Sequence, residues 1–192
     1  MLHRPVLALA ALTLSALPAA ADPLTARSAQ PLLFPATGVE IVRHDVTGLS
    51  EQEQAALTMV AQSQKYYAAV AFAPDAGILA EPTVLAANYH TPEAARAAAL
   101  DGCNGRRSGG RACELALEVR PAGWEARALS LSADATTGFV DQYRTASGRR
   151  AFAASASSGT WGIGRGGDAA DAAIAACRGE SGVSDCAVVI AD

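Results

Sequence analysis

Four cysteines, His44 and His90, and a single lysine, Lys65, are the side chains here most suited to bond-making chemistry. Cys103 and Cys113 stand ten positions apart, and Cys177 and Cys186 nine. Neither spacing is the C-x-x-C of a redox or zinc site. Both pairs occur in the same local order: a small-residue strand, an Ala-rich helix, a cysteine, a short loop, a second cysteine and a strand. Four cysteines allow three pairings. The repeated order selects Cys103–Cys113 and Cys177–Cys186, because each bridge then ties a helix end to the next strand.

His90 closes the stretch TVLAANYH and is followed by Thr91-Pro92-Glu93. A strand-end histidine with a carboxylate one helical step away could act as a general base oriented by an acid, so His90 and Glu93 are the catalytic candidates. A histidine that caps backbone groups is the plainer reading of the same residue. His44 and Asp45 are adjacent, so on a strand they face opposite sides and make no dyad. Ser155, Ser157 and Ser158 lack the G-x-S-x-G frame of a nucleophile elbow. The supply of histidine and free thiol is too thin for a metal centre, and no cofactor is expected.

Gly162-Ile163-Gly164-Arg165-Gly166-Gly167 spells G-x-G-x-x-G, the order of a dinucleotide fingerprint. Asp168 follows at once and sets a negative charge where a pyrophosphate would lie. The glycines are better explained as a turn and a strand packed closely against a helix. Arg106, Arg107 and Arg111 crowd one loop and are candidates for holding an anion, with a solvated loop tip as the alternative. Trp161 is a further binding candidate, although in a chain with 5% aromatic residues it is as readily a core filler.

The elements that must position these residues follow from local signals. Residues 1–21 carry His3 and Arg4, an apolar stretch from Val6 to Leu17, Pro18, and Ala19-Ala20-Ala21 before Asp22. That order of parts predicts a cleaved export signal. No later stretch is long and apolar enough to span a membrane. Residues 22–38 are Pro-rich and predict an extended arm. Val39–Val46 alternates as a strand. Ser50 and Glu53 form a capping box that opens a helix to about Gln64, with Ala55, Leu57, Met59 and Val60 among its apolar positions. Repeat one, about 66–120, reads strand, strand, helix, strand. A connector, 121–148, holds a strand from Glu125 to Ser132 and a helix capped by Ser132. Repeat two, about 149–192, repeats the first order, with Asp168 as helix cap. The expected fold is one α+β domain over 39–192, in which both repeats join a mainly antiparallel sheet.

A formal charge of −4 argues against nucleic acid as a partner. An exported chain sits in an oxidising space where cysteines pair. Periplasmic or secreted placement follows, with an envelope or extracellular protein or ligand as partner. The function class expected is an interaction or binding module; the alternative is a small exported hydrolase-like enzyme using His90.

Ala153-Ala154-Ser155, Ser158-Gly159-Thr160-Trp161-Gly162, Cys177 and Asp185-Cys186-Ala187-Val188-Val189 together resemble domain-of-unknown-function family 4189. The resemblance covers repeat two and, more loosely, repeat one. It implies a small extracytoplasmic protein with paired cysteines and no assigned catalytic residues. The whole chain also resembles short exported bacterial proteins labelled 5-aminolevulinate synthase. That activity needs pyridoxal phosphate on a lysine and a phosphate cradle. Lys65 stands in QSQKYY at a helix end, with no glycine-rich loop beside it, so the residues do not supply that chemistry.

Overall fold

The computed structural model describes residues 22–192, so the expected export signal at 1–21 lies outside the described residues. The elements run α1 (Ala26–Ala29), β1 (Val39–Arg43), α2 (Glu51–Gln62), β2 (Ala68–Phe72), β3 (Val84–Ala86), α3 (Pro92–Arg106), β4 (Glu114–Pro121), α4 (Ala133–Gly138), β5 (Arg150–Ser155), β6 (Trp161–Arg165), α5 (Ala169–Arg178) and β7 (Cys186–Ala191). Helix starts follow their caps. Ser50 and Glu53 bond reciprocally at α2, Thr91 accepts from the Ala94 amide at α3, and Ser132 accepts from the Ala135 amide at α4. Asp168 precedes α5 without a side-chain cap bond. At its far end α4 widens into a π turn over Phe139–Tyr143.

The strands form two antiparallel sheets, and this corrects the expectation of a single shared one. The first has the order β1-β4-β2-β3 and the second β6-β5-β7. In each, the first strand of a β-β-α-β unit is central, its hairpin partner lies on one side and the strand after the helix on the other. Edge occupancy explains why the sheets do not merge. The outer edge of β4 is taken by β1, and that of β7 by Leu24, which makes a parallel bridge to Ile190. The free edges, β3 and β6, meet through side chains at residues 88–90 and 159–160 instead of through a ladder.

Both sheets are covered on both faces. The α3 face of the first sheet buries Ala69, Ala71, Ala95, Ala99 and Cys103, and its other face buries Ala68, Val70, Phe72 and Leu117 under α2. In the second sheet Ala151, Ala153 and Ala173 meet under α5, while Phe139, Tyr143 and Phe152 pack on the opposite face. Double coverage is why β2 is buried at all five positions and does not alternate. Gly162 and Gly164 let α5 lie directly on β6, because a Cβ there would meet the backbone of Ala173, Cys177 and Ala169. That close packing, not a phosphate cradle, is what the G-x-G-x-x-G run serves.

Two further expectations change. The N-terminal arm is not extended: α1 and a following 3-10 turn, Gln30–Leu32, fold it onto the second sheet. The Asp192 carboxylate accepts from the Ala26 amide, and Ala29 is fully buried there. Residues 125–132 form no strand, because the connector's bonds run to side chains: the Ser132 amide donates to His90. On α2, Met59 and Val60 point outward, with exposures of 73% and 54%.

The disulfides join Cys103 to Cys113 and Cys177 to Cys186, each with Cα atoms 6.1 Å apart. Each ties the last part of an Ala-rich helix to the strand that follows it. Alanine buries little surface per residue, so these helices rely on the cross-links more than a Leu-rich helix would. Replacing either pair by alanine should lower stability by about 2–4 kcal/mol. Urea midpoints of the two double variants check this, and a midpoint unchanged from the parent would remove the cross-links from the stability argument.

Candidate functional site

His90 is 3% exposed, and both its ring nitrogens are bonded to backbone. The Ser132 amide donates to Nδ1 at 3.0 Å, and Nε2 donates to the Thr160 carbonyl at 2.8 Å. These partners fix a neutral imidazole with its proton on Nε2. Burial pushes its pKa down; the Thr160 carbonyl and the Asp185 charge act against that shift without cancelling it. The ring joins β3's end, the start of α4 and the strand entry at Thr160. With no free lone pair it is a clamp, and Glu93 does not orient it: Glu93 accepts from Arg96 at 2.7 Å. The structure therefore does not assemble the expected base and acid.

Other candidates are also held in place. Lys65 Nζ contacts both Asp134 oxygens, at 2.6 and 2.9 Å, and Asn88 exchanges bonds with Asp134. The only lysine thus fastens the first turn of α4. Arg111 bonds Asp75 and Thr47, and Arg107 bonds Asn104 and the Gly110 carbonyl, so the loop stitches itself together. Arg106 stands in the last turn of α3, where its charge suits the helix dipole. Trp161 stacks on Phe152 at 5.3 Å and covers Gly138, as a core residue. Ser155 donates to Asp185 at 2.6 Å, and Ser157 donates its amide to the same carboxylate. These bonds hold the Asp185 carboxyl below the usual carboxylate range, the Ser155 hydroxyl most of all.

The residue that sequence reasoning missed is Glu118 on β4, 1% exposed beneath α3. His44 Nε2 lies 2.8 Å from one oxygen. Arg120 Nη2 donates to the other at 2.9 Å, with Arg96 Nε at 3.6 Å. A buried carboxylate survives only with such partners. Each of the two arginines then holds a second group. Arg96 carries Glu93, and Arg120 lies 4.5 Å over the Trp124 ring. The one signal in the sequence was Glu118 and Arg120 on the same strand face, amid apolar neighbours.

Glu93 and Trp124 both line a cavity of about 310 Å³ at the N-terminal end of α3. The remaining wall comes from the arm and connector: Phe34, Glu125, Arg127 and Ser130. Arg127 sits 3.7 Å over the Phe34 ring, binds Glu125 through Nε and Nη2, and donates to the Leu32 and Leu33 carbonyls. The Tyr67 phenol reaches the floor beside Ser130 and Trp124, and burial pushes its pKa up. Ser130 Oγ is closed off from solvent against the Tyr67 phenol. A second cavity, about 430 Å³, lies across Phe34 between the arm and the π turn. Among the described residues no three His, Cys, Asp or Glu side chains converge to hold a metal ion, and no helix is long and apolar enough to cross a membrane.

Comparison with protein-family models, with curated proteins and with solved structures gives no match.

The His90 clamp has a pH signature. The unfolded chain protonates His90 near its ordinary value of 6.5, whereas the folded chain resists the proton. The unfolded state therefore binds more protons as pH falls below that value, and stability is lost in that direction. For one group the slope is at most about 1.4 kcal/mol per pH unit. Urea unfolding at pH values from 7.5 down to 5 should show this loss in the parent and a shallower one in His90→Gln. Parallel curves for the two proteins would remove the clamp from the pH response.

Proposed function

We propose that this chain is an exported, disulfide-stabilised binding module that takes a small ligand in the cavity between Glu93, Trp124 and Phe34. The observation that carries this is the pre-formed cavity itself, about 310 Å³, lined by the aromatic rings of Phe34, Tyr67 and Trp124 and by the Glu93 and Glu125 carboxylates. The walls are also preorganised. Glu118 sets both Arg96 and Arg120, and these hold Glu93 and Trp124 before any ligand arrives. No nucleophile, base and oxyanion donors converge there, which favours binding over turnover.

The finer elements of the proposal rest on the sequence. The leader at residues 1–21 directs export, and cleavage before Asp22 leaves a periplasmic or secreted chain in which both disulfides form. The two β-β-α-β units are internal repeats. Their shared strand order supports this, as do the equivalent bridges and a bulge at the matching place: the pairing skips Ala116, three positions after Cys113, in one unit and Val189, three positions after Cys186, in the other. Kinship with domain-of-unknown-function family 4189 is part of the same proposal.

The test uses the oxidised chain 22–192 and the dialysable small-molecule fraction of an envelope extract. Binding should raise the melting temperature and shift the tryptophan emission. Trp124→Ala should abolish both effects while leaving the circular dichroism spectrum unchanged. If the melting temperature and emission of the parent are indifferent to the fraction, the cavity is not a ligand site.

A further inference from the structure

Resting on that cavity as a ligand site, we infer that its ligand is a neutral, hydroxyl-bearing ring, a saccharide unit, set against Trp124 and Phe34 with its hydroxyls on Tyr67 and the Glu93 and Glu125 carboxylates.

Charge decides the class. The rim carries two carboxylates, Glu93 and Glu125, and each is already matched by a guanidinium, Arg96 and Arg127. The mouth therefore has no net formal charge to attract an ion. A cationic guest would look for an aromatic face. Trp124 already carries Arg120 at 4.5 Å and Phe34 carries Arg127 at 3.7 Å, so such a guest meets positive charge where it needs π density. An anionic guest meets two carboxylates, and the arginines beside them are engaged. A neutral guest faces neither penalty.

Hydrogen bonding narrows the class further. The floor carries the Tyr67 phenol, kept protonated by burial, which can donate and accept as an alcohol can. The rim carboxylates are pure acceptors, which suits ligand hydroxyls as donors. The walls between these groups are apolar: Phe34, Pro92, Leu129 and the Trp124 ring. A ring with an apolar face and a hydroxyl edge satisfies both sets at once. The volume, about 310 Å³, is at the small end of ligand pockets, and it fits a monosaccharide or disaccharide better than a peptide.

The experiment titrates oxidised chain 22–192 with N-acetylglucosamine, its β-1,4 disaccharide, maltose and trehalose, and separately with choline and succinate. Isothermal calorimetry is read on the parent. Fluorescence is read on Trp161→Phe, in which Trp124 is the sole tryptophan. At least one sugar should bind saturably and shift Trp124 emission, and its affinity should fall tenfold or more in Glu93→Gln and in Glu125→Gln. Both changes keep the size of the side chain, and parent calorimetry stands independently of any variant that fails to fold. Saturable binding of choline or succinate without any sugar overturns the ligand class but leaves the cavity a binding site. Silence toward all six probes overturns the class too. A parent that also ignores the envelope fraction loses the binding-module reading with it.

Discussion

A single buried imidazole holds the two halves of this molecule in register. His90 sits where the free edges of two sheets meet, and neither sheet can extend a ladder into the other there. Its Nδ1 takes the Ser132 amide and its Nε2 gives a proton to the Thr160 carbonyl. The Ser132 amide would otherwise be stranded at the junction, and a stranded buried polar group costs about 1–3 kcal/mol, whereas the Thr160 carbonyl also accepts from the Ser155 amide. Around this point the backbones come close enough that a Cβ on Gly159 would strike the Asn88 carbonyl. The junction is therefore made of a small residue, a neutral ring and a few directed bonds, with little apolar area. Such a junction is specific in geometry and sensitive to protonation.

The rest of the architecture is economical in the same manner. Helices α3 and α5 approach their sheets through alanine and, on β6, through glycine. Close approach compensates for small side chains by bringing backbone against backbone, as Gly162 and Gly164 do under α5. What such helices lack is anchoring bulk at their C-terminal ends. The Cys103–Cys113 and Cys177–Cys186 bridges stand at those ends and limit the unfolded chain as well as the folded one. The aromatic weight is concentrated elsewhere, in the stack of Phe139, Tyr143, Phe152 and Trp161 on the far face of the second sheet.

Most local signals in the sequence translated into local structure, although the strand expected from Glu125 to Ser132 did not form and Asp168 makes no cap bond. The Ser50–Glu53 capping box, the Thr91 and Ser132 caps, the order of elements in each β-β-α-β unit and the two short-range bridges all depend on residues within about a dozen positions of each other. Long-range choices did not translate. Whether β4 and β7 would share a sheet turned on which segments reached their outer edges first in space, β1 and Leu24, and neither strand encodes that. The arm looked extended because of its prolines, yet Thr25, Pro31 and a carboxylate from the last residue fold it into turns. Glu118 was invisible as a buried hub because its partners come from β1, α3 and its own strand. His90 was visible as a residue of interest, and its role turned on two backbone groups, 42 and 70 positions away.

The clamp and the cavity are parts of one mechanical unit. His90 is followed directly by Thr91 and Pro92, which line the cavity, and the Ser132 amide it holds lies two residues beyond Ser130. Moving the imidazole would shift both walls together. From the other side, Glu118 fixes Glu93 and Trp124 through arginines that are themselves rooted under α3. The cavity is thus braced by a neutral ring on one side and a buried carboxylate on the other. Protonating the imidazole disturbs the groups arranged around it, because an imidazolium can no longer accept from Ser132. A ligand that fits only the braced geometry would in turn stabilise the folded form with its neutral ring, because binding to the folded form draws the equilibrium toward it. On this account ligand affinity and fold stability weaken together in acid, since both depend on His90 staying neutral.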